Sequence, residues 1–208
     1  MSIQLTPIVM RILAILTLLG GMWFIVTLVL LIVNRSRKSR PIAWIQRYIH
    51  FFSLQAYVGA FVVSLLSMSG SLYFSEIAHY TPCLLCWYQR ILMYPQVLLF
   101  FVSLVKRTRH ITDHILALSS VGAVIALFHY YEQMTNTQIV TCGTVGVSTS
   151  CTEKFVTTFG YITIPMMALT AFVMIILLMV MSKYRQKNIT KIPYVIPASA
   201  PISHVASS

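Results

Sequence analysis

Residues 8–33 read IVMRILAILTLLGGMWFIVTLVLLIV, and residues 34–40 continue as NRSRKSR. The first segment carries a single charge, Arg11. It is long enough to cross the roughly 30 Å hydrocarbon layer of a bilayer as a helix. The second segment is a basic cluster of the kind retained on the cytoplasmic side. This pairing of apolar span and basic flank decides the fold class, because it recurs along the chain. Further apolar stretches run from about Phe51 to Phe74, Cys86 to Val105, Ile115 to Tyr131 and Tyr161 to Met181. None shows the ten-residue alternation that an outer-membrane barrel requires. The expected fold is an all-α membrane protein with a four-helix transmembrane bundle core and one additional N-terminal transmembrane helix.

Composition agrees. Of the 208 residues, 58% are hydrophobic and 9% charged, against roughly 25% charged in an average soluble protein. A water-soluble enzyme and a disordered chain are both excluded. The net charge of +11 raises the question of nucleic acid, but the positions of the basic residues answer it. Arg35, Arg37, Lys38, Arg40 and Arg47 lie between the first two spans. Lys106, Arg107 and Arg109 lie between the third and fourth, and Lys183, Arg185, Lys187 and Lys191 follow the fifth. Twelve of fifteen basic residues thus occupy alternate loops, which the positive-inside rule assigns to the cytoplasm. The other face holds Arg11, Arg90 and Lys154 with the acids Glu76, Glu132 and Glu153. The N-terminus is expected outside and the C-terminus inside. The partner that this charge pattern implies is the lipid bilayer, with no nucleic acid.

Residues 1–43 read as the extra helix with its basic loop, 44–187 as the core, and 188–208, rich in Pro, Ser and Ala, as a disordered cytoplasmic tail. The first helix is too long for the h-region of a signal peptide and has its basic cluster at the wrong end, so it reads as uncleaved. Pro95 and Pro165 fall within the third and fifth spans, where a kink is tolerable because neighbouring helices can satisfy freed backbone groups.

All four cysteines fall on the expected outer face. Cys142 and Cys151 lie in the longest external segment, Glu132 to Gly160, and a structural staple would explain them. Cys83-Leu84-Leu85-Cys86 is different, because a bridge closing so small a loop removes little entropy from the unfolded chain. Cys-x-x-Cys spacing suits a pair that cycles between dithiol and disulfide. Pro82 interrupts the chain before it, so Cys86 is expected in or near the first turn of a helix, whose dipole favours a thiolate. Arg90 follows one turn later on the same face, where a guanidinium in an apolar span needs a reason, a thiolate or a quinone carbonyl for example. The bland alternative is that it snorkels to headgroups. A zinc site is disfavoured because Cys142 and Cys151 stand too far apart for the usual ligand spacing, and no metal is expected.

The run Pro82-Cys83-Leu84-Leu85-Cys86-Trp87-Tyr88-Gln89-Arg90 resembles the signature of the DsbB family of bacterial disulfide-formation proteins, and of its shorter BdbC-type members in particular. Phe159-Gly160-Tyr161-Ile162-Thr163-Ile164-Pro165-Met166 is similar to that branch as well, and the resemblance covers roughly Trp44 to Lys187. It implies a membrane thiol–disulfide oxidoreductase of the bacterial cell membrane with catalytic Cys83, Cys86, Cys142 and Cys151. The loop pair Cys142–Cys151 would be reduced by an extracytoplasmic thioredoxin-fold thiol oxidase of the DsbA or BdbD type, with Cys142 attacked and Cys151 leaving. The Cys83–Cys86 disulfide would then reoxidise that pair. Cys86 would face a bound quinone, a menaquinone or a ubiquinone, and Arg90 would polarise it. His129 would lie near the ring, although a lone interfacial histidine more often contacts headgroups. A DsbA-type partner is itself a strong oxidant at about −120 mV, so a further electron sink is required.

Two other readings compete. A vitamin K epoxide reductase-like protein also couples Cys-x-x-Cys to quinone, but its loop cysteines precede that motif and here they follow it. A non-enzymatic assembly factor with structural disulfides is the other, with Cu(I) suggested by the eleven methionines. However, Met166, Met167, Met174, Met179 and Met181 share one apolar helix, where packing explains them better.

Overall fold

The computed structural model describes residues 2–36, 43–136 and 162–189. Among these residues, five α-helices run α1 (Ser2–Ser36), α2 (Ala43–Leu72), α3 (Leu84–Lys106), α4 (Thr112–Thr135) and α5 (Ile164–Ile189). Each contains a segment long and apolar enough to cross a membrane. The protein is therefore an all-α membrane protein. Helices α2 to α5 form a ring in which α3 separates α2 from α4, and α5 closes it against both. The expected tail, residues 188–208, lies outside the described residues from 190 onward.

What faces the bundle interior is set by size and polarity, because large apolar side chains gain as much from lipid as from one another. The buried stripe of α2 is Ile45, Ile49, Ser53, Ala56, Ala60 and Ser64, spaced by threes and fours as one helix face requires. On α3 it is Leu85, Gln89, Met93, Gln96, Phe100 and Ser103. On α4 it is Ile115, Ser119, Gly122, Ala126, His129 and Gln133, while Val121, Val124 and Leu127 point outward. Small residues let helices approach. A side chain at Gly122 would run into the Phe172 ring. Polar pairs cross the same interfaces: Ser119 Oγ donates to Gln96 Oε1 at 2.9 Å, and the Tyr57 and Thr112 hydroxyls are 2.6 Å apart. Met179 and Met181 on α5 are buried in the core, as the packing explanation expects.

Helix α1 lies outside this ring, against α5 and to a lesser extent α2. Thr27 shares a hydrogen bond of 2.8 Å with Tyr48, and the Trp23 and Phe52 rings stand 5.3 Å apart. A Cβ on Gly20 would lie 2.6 Å from Met174 Sδ, so glycine is what permits the close crossing with α5.

Two features depart from expectation. Pro165 is the second residue of α5, in the first turn, where a missing N–H breaks no helical bond, so no kink arises. Glu132, expected in an external loop, lies within α4 and is fully buried. Pro95 does fall inside α3, which continues through it to Lys106. Beyond α2, residues Tyr73–Ile77 form a π-turn, with Ala78 N donating to Tyr73 O at 3.0 Å.

Candidate functional site

Helix α3 begins immediately after the interruption at Pro82. Cys83 is its N-cap, with φ −72° and ψ 172°, and its Sγ accepts from Cys86 N at 3.3 Å. A thiol here does what Ser or Asp usually does, taking one of the unpaired N–H groups of the first turn. Cys86 lies in the first turn of α3, as expected from the sequence, but its N–H is directed at the Cys83 sulfur, so the N-terminal donors stabilise Cys83. Both cysteines are free thiols. Their sulfurs share a hydrogen bond at 2.9 Å.

His129 approaches from α4. Its Nε2 is 3.6 Å from Cys83 Sγ, and its Nδ1 is 3.0 Å from Gln89 Nε2 on α3. With the Gln89 amide donating to Nδ1, the neutral ring carries its proton on Nε2, directed at the sulfur. His129 is 1% exposed, which excludes a headgroup contact. Together these groups lower the pKa of Cys83, which precedes the membrane span, from 9.0 to about 5. The hydrogen bond with Cys86 has the largest effect, His129 and the Cys86 N–H add to it, and burial opposes it. Among the described residues, Cys83, Cys86 and His129 also bring their ligand atoms within 4.8 Å of one another.

Arg90 does not snorkel outward alone. Its Nη2 donates to Ser71 O at 3.1 Å, beside the π-turn of α2, and its guanidinium carbon stands 5.5 Å from the Trp87 ring centroid. Its Nε is buried with no hydrogen-bond partner among the described residues. Tyr94 OH, donating to Ser71 Oγ at 3.2 Å, braces the same junction.

These groups border a cavity of about 440 Å³, a size typical of small-molecule sites. Cys83, Cys86, Gln89, Arg90, His129 and Gln133 line one end, and mostly apolar side chains of α1, α2 and α5 line much of the rest. The structure thus brings together four of the six expected site residues. Cys142 and Cys151 lie outside the described residues. Gln89, Gln133 and Ser71 were not singled out from the sequence. The signal for Gln133, as for His129, is the small-residue stripe of α4, whose spacing continues into both.

The family profile described as Disulfide bond formation protein DsbB matches residues 53–182. The chain is 43% identical over 121 residues to the Probable disulfide formation protein C of Halalkalibacterium halodurans, covering 57% of this chain and 85% of that protein. It is 43% identical over 126 residues to the Disulfide bond formation protein C of Bacillus subtilis, covering 60% and 89%. The SPbeta prophage-derived disulfide bond formation protein B of Bacillus subtilis is 37% identical over 129 residues, covering 62% and 83%. No solved structure matches the chain. The profile covers α3 and α4 and most of α2 and α5, and leaves α1 aside. The chain belongs to the DsbB family of disulfide bond formation proteins.

Proposed function

We propose that the protein reoxidises an extracytoplasmic thioredoxin-fold thiol oxidase, of the DsbA or BdbD type, and passes the electrons to a membrane quinone. The observation that carries this reading is the Cys83–Cys86 pair, capped on Cys83 by the Cys86 N–H and His129, at the polar end of a largely apolar cavity. In the first exchange the partner's dithiol becomes a disulfide and the Cys142–Cys151 disulfide becomes a dithiol. In the second, that dithiol is reoxidised as the Cys83–Cys86 disulfide is reduced. Groups that stabilise the Cys83 thiolate stabilise the reduced pair, which raises its potential and lets it accept electrons from a strongly oxidising partner.

The cavity fits a quinone on two counts. It joins an apolar shaft to a polar end, and the buried Arg90 Nε lacks a partner that a ring oxygen would provide. A quinone, menaquinone or ubiquinone, supplies a two-electron, two-proton acceptor for the dithiol. Arg90 is the residue to hold its ring, with His129 at the cavity wall positioning Cys83. The charge pattern supports an orientation with the cysteine end extracytoplasmic, the N-terminus outside and the basic ends cytoplasmic.

Purified full-length protein, given quinone and a reduced DsbA-like partner, is expected to oxidise that partner catalytically, and Cys86→Ser to abolish turnover. Full turnover by Cys86→Ser would overturn the proposal.

A further inference from the structure

We infer that α1 is one wall of a binding shaft for the isoprenoid tail of the quinone, so that this helix selects among quinones by their tails. The inference rests on the proposed quinone reading. Helix α1 lies outside the segment matched by the family profile, yet it lines the cavity with Leu13, Leu16, Thr17, Gly20 and Trp23. The same cavity is lined by Met167 of α5 and by Val63 and Ser67 of α2, while Thr170 and Met174 of α5 meet α1 at Gly20 and close its border.

Length and direction suit a tail. The α1 lining runs over ten residues from Leu13 to Trp23, roughly 15 Å at 1.5 Å per residue, about half of a ~30 Å hydrocarbon layer. The shaft is continuous with the end that holds Cys86 and Arg90. It therefore accepts a molecule with one polar ring and one long apolar chain, the ring at the cysteines and the chain directed toward the membrane centre. Without α1, the groove between α2 and α5 would lie open along this side, where lipid of any kind could fill it.

The wall is held in place at several levels. Gly20 allows the close crossing at Met174, and Thr27 bonds Tyr48. Asn34 Oδ1 accepts from Gln46 Nε2 at 3.0 Å, and Tyr73 OH reaches Thr6 at 3.5 Å. These ties span both ends of α1, as a fixed wall requires and an incidental lipid-side contact does not.

The test uses the full-length protein in nanodiscs with two naphthoquinones of identical ring, one bearing several isoprene units and one bearing only a methyl group. Thr17→Trp, which fills the shaft, is expected to raise KM about tenfold for the tailed quinone and to leave the tailless one unchanged. Ile15→Trp, on the exposed side of α1 and away from the cavity, is expected to change neither. A second arm needs no turnover. A tailed quinone carrying a photoreactive group at the end of its chain is expected to label α1, and Thr17→Trp to abolish that label. Absence of label from α1, or equal effects of Thr17→Trp on both quinones, would overturn the inference. Label on α1 without thiol-coupled reduction of either quinone would leave the wall standing and remove the proposed function instead. Reduction of both quinones without label on α1 would do the reverse.

Discussion

His129 Nε2 on α4 stands 3.6 Å from Cys83 Sγ, the sulfur that caps α3. A residue 46 positions downstream thereby completes the local chemistry of the Cys-x-x-Cys motif. Because a hydrogen bond to a charged group contributes about 1.5–3 kcal/mol, His129→Leu is expected to raise the Cys83 pKa by roughly one to two units. Rates of alkylation of the reduced protein against pH check this. The wild-type midpoint is expected near 5, well below that of an ordinary thiol, and an unmoved midpoint in the variant would remove His129 from this role.

The same shift sets a pH dependence of stability. The folded state favours the Cys83 thiolate, so reduced protein gains a contribution that is complete above the ordinary thiol value of 9.0. That contribution is lost as the pH falls toward about 5. Oxidised protein has no thiolate there and lacks it. The gap in thermal midpoint between reduced and oxidised protein is therefore expected to change in favour of the reduced form from pH 5 to pH 9, and parallel curves would contradict the assignment.

Arg90→Met removes the group proposed to hold the ring while leaving Ser71 O its contact from Ser75 Oγ at 3.4 Å. KM for quinone is expected to rise about tenfold or more, the scale of one lost charge-assisted hydrogen bond. The thermal midpoint should shift little. Steady-state kinetics across quinone concentration read the effect, and an unchanged KM would argue for a purely structural Arg90.

Packing gives a contrasting pair of expectations. Gly122→Ala drives a methyl into the Phe172 ring at the crossing of α4 and α5, and overpacking of this kind costs about 1–3 kcal/mol. Asp113→Asn breaks the ion pair with Lys183, whose side chains are 71% and 56% exposed, and should cost under about 1 kcal/mol. Thermal unfolding in detergent should rank the two in that order.

The sequence displayed the fold readily, because five apolar runs with alternating basic flanks have few other uses. Helix ends were less legible. α2 starts at Ala43 and α4 at Thr112, several residues before their apolar runs, because hydropathy marks the hydrocarbon layer and not where backbone hydrogen bonding begins. Cys83, Cys86 and Arg90 could be read from one local motif. His129 could not be assigned a contact, since its partners Cys83 and Gln89 come from another helix. The contact of α1 with α5 was equally hidden. An apolar surface on all sides shows no preferred face, and the informative residue, Gly20, matters only opposite Met174.

The central claim is that Cys83 and Cys86 form the pair that delivers electrons to quinone, and a single-turnover measurement tests it most directly. Reduced Cys142→Ser/Cys151→Ser protein, in which only Cys83 and Cys86 remain, is mixed anaerobically with quinone while quinone absorbance and free thiols are followed. The account predicts that each quinone reduced is matched by one Cys83–Cys86 disulfide formed. Thiols that stay free in the presence of excess quinone would contradict it.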